Sequence, residues 1–344
     1  MHHWKSPRTR DELHMMFAKL VNPRCDAQNS AQTTQPMHTM TPLTTRTVVN
    51  TLNPCRPTLV MSIMNTTPDS FSDGKLNTSD PQRLRETAAA HIAAGATIID
   101  VGGQSSRPNA PDVTAEEEIG RVLPAIAAIR SLPEAKGVAI SVDTYRAAVA
   151  EAAVNAGAHI VNDISAGALD PQMLSTVARL GCTYVMMHMR GTPATMQNPE
   201  NCTYKKELRG EILKELRSRV ALAIEAGIRR WRIILDPGIG FAKTQDQNLV
   251  LLRKGLFSRN TTITSEGRVR GLRCMPQLIG SSRKGFIGSI TGVKEPRDRI
   301  FGTAAAVTAS IRLGADIVRV HDVQEMVQVA KMADAIYRYE NNKT

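Results

Sequence analysis

Five times along this chain a helix-like stretch ends in Ala-Gly or Leu-Gly and an apolar run follows at once. The segments are AGATIID from residue 94, AGAHIVND from 156, LGCTYVMMH from 180, AGIRRWRIILD from 226 and LGADIVRVHD from 313. Gly95, Gly157, Gly181, Gly227 and Gly314 are suited to the left-handed position that ends a helix. A strand that begins immediately afterwards leaves no room for a hairpin, so the repeated unit is helix, tight turn, strand. Strands apolar at nearly every position are buried on both faces, which is the state of a parallel sheet covered by helices. Extending the pattern predicts strands at 58–64, 97–101, 138–142, 159–161, 183–187, 231–235, 277–280 and 316–320. Helices are predicted at 82–94, 115–130, 145–156, 171–180, 205–226, 246–253, 297–313 and 323–339. Eight strands alternating with eight helices is the count that closes a (β/α)8 TIM barrel. An open doubly wound sheet is the other arrangement of such units, and the absence of a GxGxxG turn after the first strand argues against it.

The barrel is expected to occupy residues 57–340. Residues 1–56 differ in kind and are expected to be a disordered or loosely ordered extension. Leu13, Met16, Phe17, Leu20 and Val21 fall at helical spacing among Lys5, Arg8, Arg10, Lys19 and Arg24. A stretch without acids, rich in Thr, Gln, Ser and Asn, follows at 27–50. That is linker composition. A basic amphipathic start is also what an organelle-targeting segment looks like, although Asp11 and Glu12 count against it. The stretch 255–275 carries Arg259, Arg268, Arg270 and Arg273 without periodicity and reads as a surface insertion.

The totals exclude several classes. No apolar run is long enough for a membrane-spanning helix, so no membrane partner is expected. The five cysteines are scattered and show no CxxC spacing. That disfavours a disulfide framework or a structural zinc site and favours a reducing, cytoplasmic compartment, with the mitochondrion the alternative if residues 1–53 are a targeting segment. The net charge of +11 is concentrated at the start of the chain and in 253–299. With only 4% aromatic residues there is no basic stripe interleaved with stacking rings, so nucleic acid is not the expected partner. A phosphorylated small substrate accounts for local basic excess.

In such a barrel the chemistry sits at the C-terminal ends of the strands. Those ends offer Asn65, Asp100, Asp143, Asn162, His188, Asp236, Ser282 with Lys284, and Arg319 with His321. Asp143, Asn162 and Asp236 are acceptors suited to a ligand rich in N–H donors, such as an amino-substituted heterocycle. A rim salt bridge from Asp143 or Asp236 to Lys284 or Arg319 uses the same residues, and both can hold together. Arg107, Arg319, His321 and the SSRKG segment at 281–285 form a second group, friendly to anions. Strands one and eight become neighbours on closure, so Asn65 is expected beside Arg319 and His321, where a pyrophosphate and Mg2+ would fit. No GxSxG, HExxH or Walker-type loop is present, so catalysis by positioning and leaving-group stabilisation is implied.

The strings MNTTPDSFSDG at 64–74, DVGGQSSRP at 100–108, SVDTYR at 141–146, NDISAG at 162–167, MMHMRGTPATMQ at 186–197, DPGIGFAKT at 236–244, GSSRKGFIG at 280–288 and RVHDV at 319–323 together resemble dihydropteroate synthase. The resemblance runs from Thr58 to about Tyr339. It implies a (β/α)8 pterin-binding barrel and a transferase of folate biosynthesis. Such an enzyme joins p-aminobenzoate to 6-hydroxymethyl-7,8-dihydropterin pyrophosphate, releasing pyrophosphate and giving 7,8-dihydropteroate. It implies Mg2+ as cofactor, a homodimer, and sulfonamides as competitors. By the same resemblance Asp143, Asn162, Asp236 and Lys284 hold the pterin, with Met187 as an apolar wall. Asn65, Arg319 and His321 take the pyrophosphate, Asn65 also ligating the metal, and Asn65, Lys284, Arg319 and His321 are the implied catalytic set. Phe71, Ser106, Arg107 and Pro108 belong to loops that close over p-aminobenzoate, and Phe241 and Ser282 line its pocket. Asn65 is thus a fixed anchor and 66–74 a lid. Gln104, Ser106, Ile239 and Ala242 depart from residues common in the family, bearing on affinity or sulfonamide response. Barrels that transfer a methyl group from a folate would share the acceptors but have no use for the anion group.

Overall fold

The computed structural model describes residues 57–67, 80–105, 112–257, 272 and 275–338. Eight strands are present: β1 Leu59–Asn65, β2 Ile98–Gly102, β3 Ala139–Asp143, β4 Ile160–Asp163, β5 Thr183–Met187, β6 Ile233–Asp236, β7 Leu278–Ile279 and β8 Ile317–Val320. All pairings are parallel, in the order β6-β5-β4-β3-β2-β1-β8-β7. A parallel bridge between Leu235 and Gln277 joins the two ends and closes the ring. The chain is a (β/α)8 barrel.

The helices described are α1 Pro81–Ala93, α2 Ala115–Arg130, α3 Ala147–Asn155, α4 Met173–Leu180, α5 Pro199–Cys202, α6 Leu208–Glu225, α7 Gln245–Lys254, α8 Gly285–Thr291, α9 Ile300–Arg312 and α10 Val323–Tyr337. Their starts are chemically marked. Asp80 accepts from Gln82 N at the start of α1, Thr114 from Glu117 N at α2, and Thr244 with Gln247 forms a full capping box at α7. Their ends carry the five expected glycines, all at positive φ, from 62° at Gly181 to 114° at Gly157. Each long helix buries one stripe. In α10 the stripe is Val323, Met326, Ala330 and Ala333, spaced three and four apart.

Strand alternation divides the apolar residues into two cores. Ile99, Val101, Ile140, Val142, Val161, Tyr184, Met186, Ile233 and Leu235 point outward and pack with helix residues into one cluster. Val60, Val318 and Val320 do the same beside α9 and α10. Inside the ring, each strand contributes one residue to a separate layer: Met61, Ile98, Ala139, Ile160, Val185, Ile234, Leu278 and Ile317, all at most 4% exposed. This apolar plug is what a barrel interior requires, and it sets the inward parity of every strand.

The differences from the expected elements have local causes. The run at 231–235 starts as a strand only at Ile233, because Arg230–Arg232 form a 3-10 turn in which Arg232 N donates to Arg229 O. The segment at 285–291 is a helix that is not among the expected ones, and α5 is a single short turn. The insertion at 255–275 is anchored at both ends. Leu256, Leu272 and Met275 are 3–5% exposed, so these residues belong to the core, not to the surface. Residues 258–271, 273 and 274, like the extension 1–56, lie outside the described residues.

Candidate active site

The inward parity fixed by the apolar plug continues upward. Two residues beyond Ile98, Ile160, Val185, Ile234 and Ile317 stand Asp100, Asn162, Met187, Asp236 and Arg319. Asp143 stands four beyond Ala139, and Asn65 four beyond Met61. With period two these side chains enter the same space as the plug, one or two layers higher. The site is therefore built by register. β1, β2 and β3 align Asn65 with Gly102 and Gly102 with Asp143, and β4 aligns Asn162 with Asp143.

Arg319 is the centre of this layer. Its Nε donates to Asp100 Oδ2 at 2.6 Å and its Nη2 to Asp143 Oδ2 at 2.6 Å. Asn162 Nδ2 donates to the same Asp100 oxygen at 3.0 Å. Asp100 is fully buried, and its second oxygen has no hydrogen-bond partner among the described residues. The acceptor group and the anion group of the sequence reading are thus one connected cluster: the rim salt bridge exists, and its cation is Arg319. Burial pushes the Asp143 carboxyl up, with Arg319 opposing.

Asp236 ends β6 and is 5% exposed. Its Oδ1 accepts from Gly238 N at 2.7 Å. Burial raises it to about 6 against the pull of that bond and of Lys284. Lys284 follows the SSR turn at the start of α8. Burial, with Arg319 nearby, lowers it to about 8, while Asp236 and Asp143 oppose. Its Nζ lies 4.2 Å from the centroid of the Phe241 ring, a cation–π contact. Phe241 packs with Met187, Ile164, Met196 and Ala242 in a small apolar cluster beside the polar ring. A flat ligand would meet carboxylates on its edge and Met187 and Phe241 on its apolar surroundings.

His321 Nδ1 lies 3.0 Å from Ser282 Oγ, which also accepts from His321 N at 3.2 Å. Ser282 is thereby tied to His321 on the anion side. The turn that carries it holds Arg283 at φ 58°, fixed by an ion pair to Asp322 and by Arg299 donating to Arg283 O. Gly102 faces the space between Asn65 and Asp143. A Cβ there would stand 3.4 Å from Asn65 Oδ1 and 3.9 Å from Asp143 Oδ2, so glycine leaves a polar cradle. Phe71, Ser106, Arg107 and Pro108 lie outside the described residues.

Sequence reasoning gave Asp100 a strand end but no role, although its position directly after two isoleucines was the signal. It missed Lys243 altogether. That lysine is 3% exposed and its Nζ lies 3.1 Å from His188 Nδ1. A lysine in a Gly-rich loop gives no sign in sequence that it is buried.

The class defined by this barrel and its polar mouth has a match among known proteins. Residues 61–321 match the family described as pterin binding enzyme. The chain belongs to that family. It is 48% identical over 283 residues to the folic acid synthesis protein fol1 of Pneumocystis carinii, covering 82% of this chain and 36% of that protein. It is 46% identical to the mitochondrial folate synthesis bifunctional protein of Pisum sativum, covering 83% of this chain and 55% of that one. The chain thus spans about a third to a half of the first relatives it matches. It spans 91% of the dihydropteroate synthase of a Synechocystis strain, at 45% identity over 82% of this chain. Among solved structures, the Xanthomonas albilineans dihydropteroate synthase with 4-aminobenzoic acid superposes with a TM-score of 0.69 at 33% identity, covering 83% of this chain and 95% of that one. A Yersinia pestis dihydropteroate synthase with a sulfonamide drug complex gives 0.70 at 34% identity, covering 81% and 94%.

Proposed function

We propose that the chain is a dihydropteroate synthase, condensing p-aminobenzoate with 6-hydroxymethyl-7,8-dihydropterin pyrophosphate to give 7,8-dihydropteroate and pyrophosphate. One observation carries the reading: Asp100, Asp143, Asn162 and Asp236 share the barrel mouth with Arg319 and Lys284, an acceptor-rich ring linked to cations. Family membership and relatives that carry this name support it.

The aminopyrimidinone edge of a pterin presents several N–H donors. Asp143, Asn162 and Asp236 accept them, and bonds to the carboxylates are charge-assisted. Breaking the C–O bond sends its electron pair to pyrophosphate and leaves positive charge on the dihydropterin methylene and ring. Carboxylates already fixed against that ring stabilise the charge as it develops. Arg319, His321 and Asn65 receive the departing anion. The aromatic amine then forms the C–N bond and loses its proton to pyrophosphate, so no protein nucleophile is required. Phe241, with Phe71, Ser106, Arg107 and Pro108 on the closing loops, would hold p-aminobenzoate, and Ser282 would act through His321.

A magnesium ion would supply charge neutralisation for the pyrophosphate. Among the described residues no cluster of three His, Cys, Asp or Glu could hold a metal, while the Gly102 cradle bares the Asn65 oxygen. A single hard oxygen fits an ion held mainly by substrate phosphates. Sulfonamide competition and a homodimer belong to the same proposal. So does a cytoplasmic location, with the mitochondrion, named for the pea relative, the alternative. No helix among the described residues is long and apolar enough to cross a membrane.

Purified full-length chain given the pterin pyrophosphate, p-aminobenzoate and Mg2+ should release dihydropteroate and pyrophosphate in equal amounts. Folded protein yielding neither would overturn the reading.

A further inference from the structure

The loop after β6 bends through three unusual residues: Gly238 at φ 70°, Gly240 at 81° and Ala242 at 48°. Nothing in its own sequence favours that course for Ala242. Its successive carbonyls are instead held from outside. Lys243 Nζ donates to Phe241 O at 2.9 Å, and Tyr204 OH donates to Ala242 O at 3.0 Å. Lys243 Nζ also lies 3.1 Å from His188 Nδ1 and 3.5 Å from His188 O. Three ammonium protons thus meet three acceptors. With Nδ1 accepting, His188 carries its proton on Nε2, which lies 2.9 Å from Glu215 Oε2 on α6. Glu215 accepts from Arg190 Nε at 3.2 Å, and the Arg190 guanidinium stacks on Tyr204 at 4.0 Å.

The contacts therefore run from the ammonium to His188, Glu215, Arg190 and Tyr204, and back to the next carbonyl of the same loop. Strained backbone persists only where its surroundings over-determine it. The fit is close: a Cβ on Gly238 would sit 2.1 Å from His188 O. What the frame presents is Phe241, 8% exposed, with Lys284 over its ring. Lys243 and His188 are both 3% exposed, so neither is placed to touch a substrate. Burial, with Lys243 alongside, lowers His188 to about 4, consistent with a neutral imidazole between Lys243 and Glu215. Burial pulls Lys243 down as well, with Asp236 and Glu215 opposing.

We infer that Lys243, with the His188–Glu215 pair behind it, is a positioning residue that sets Phe241 for the p-aminobenzoate side of the site and leaves the pterin side to Asp143 and Asp236. The division between substrates rests on the proposed function; the anchoring of the loop does not. Two variants test it: Lys243→Met, which removes the charge and all three donors, and Tyr204→Phe, which removes one hydroxyl from the opposite anchor.

Hydrogen exchange of the backbone amides at 238–243 tests the anchor in the full chain, with or without turnover. Faster exchange there in Lys243→Met, with β1–β5 unchanged, is expected; unchanged exchange would overturn the inference. Steady-state kinetics test the division. The KM for p-aminobenzoate should rise about tenfold in Lys243→Met, the scale of one lost charged hydrogen bond, and less in Tyr204→Phe. The KM for the pterin pyrophosphate should move by less than about threefold in either. Equal rises for both substrates would make Lys243 a stability residue only. If Lys243→Met does not fold, Tyr204→Phe decides alone by the same two readouts. An inactive wild-type chain would sink the function but leave the exchange experiment to judge the loop.

Discussion

The barrel interior contains two layers built by the same strands at the same parity, and they differ in every other respect. The lower is Met61, Ile98, Ala139, Ile160, Val185, Ile234, Leu278 and Ile317, all apolar. Two residues beyond five of them, Ile98, Ile160, Val185, Ile234 and Ile317, stand Asp100, Asn162, Met187, Asp236 and Arg319. The lower layer gains stability by removing apolar surface from water. The upper layer buries charge, which is costly unless it is paired. The contrast explains why Arg319 donates to two carboxylates. It makes a charged layer tolerable in the folded protein while leaving Asp236 and the Asn65–Gly102 cradle for a ligand.

Arg319→Ala should break this balance most severely. It leaves Asp100 fully buried without its cation, and loss of one partner from a buried pair costs about 3–5 kcal/mol. Chemical denaturation checks it, and a loss below about 1 kcal/mol would mean that the pair is not the organiser described. Because Arg319 also orients Asp143, the variant should lose pterin affinity together with use of the pyrophosphate. A separation of the two groups, as sequence alone suggested, would spare the bare pterin.

Ile98→Ala tests the other layer. A cavity in the plug should cost about 2–4 kcal/mol while leaving turnover per folded molecule within about twofold. Activity falling as far as in Arg319→Ala would show that the layers are not separable.

Asp236 sharpens the contrast through pH. Its carboxyl is raised from 3.8 to about 6 in the folded state, chiefly by burial. The folded protein then binds the proton more tightly than the unfolded chain. Its contribution to stability is fully present below pH 3.8 and is lost as pH rises through about 6. Asp236→Asn should flatten that part of the stability curve, measured as wild type minus variant between pH 4 and 6.5. Identical slopes would place Asp236 in a solvated environment.

The mildest expectation concerns Ala242. Ala242→Gly should relieve a φ of 48° and raise stability by up to about 1 kcal/mol in thermal melts. A loss of stability would mean that the Lys243 frame does not force the backbone there.

The eight strands were legible because barrel strands are apolar on both faces and end in polar residues, and each was found to within two residues. The site was legible one residue at a time, because Asn65, Asp143, Asn162, Asp236 and Arg319 directly follow or interrupt apolar runs. Its wiring was not. That Arg319 joins Asp100 to Asp143 depends on register across four strands, β8, β1, β2 and β3, which periodicity does not encode. The setting of Lys243 depends on His188, which follows β5 and is brought to the loop by tertiary packing. The short helix α8 was hidden by Gly285 and Gly288. Gly288 packs against the Arg299 guanidinium, where a Cβ would stand 2.6 Å from its Nε.

The claim that the upper layer is a pterin-binding surface is tested most directly by titrating 6-hydroxymethyl-7,8-dihydropterin, without its pyrophosphate, into the full chain and its Asp236→Asn variant. Loss of a charge-assisted pair should weaken binding roughly 10- to 100-fold in the variant, with Ile98→Val unchanged. Equal affinity in Asp236→Asn and wild type, with both folded, would contradict the account.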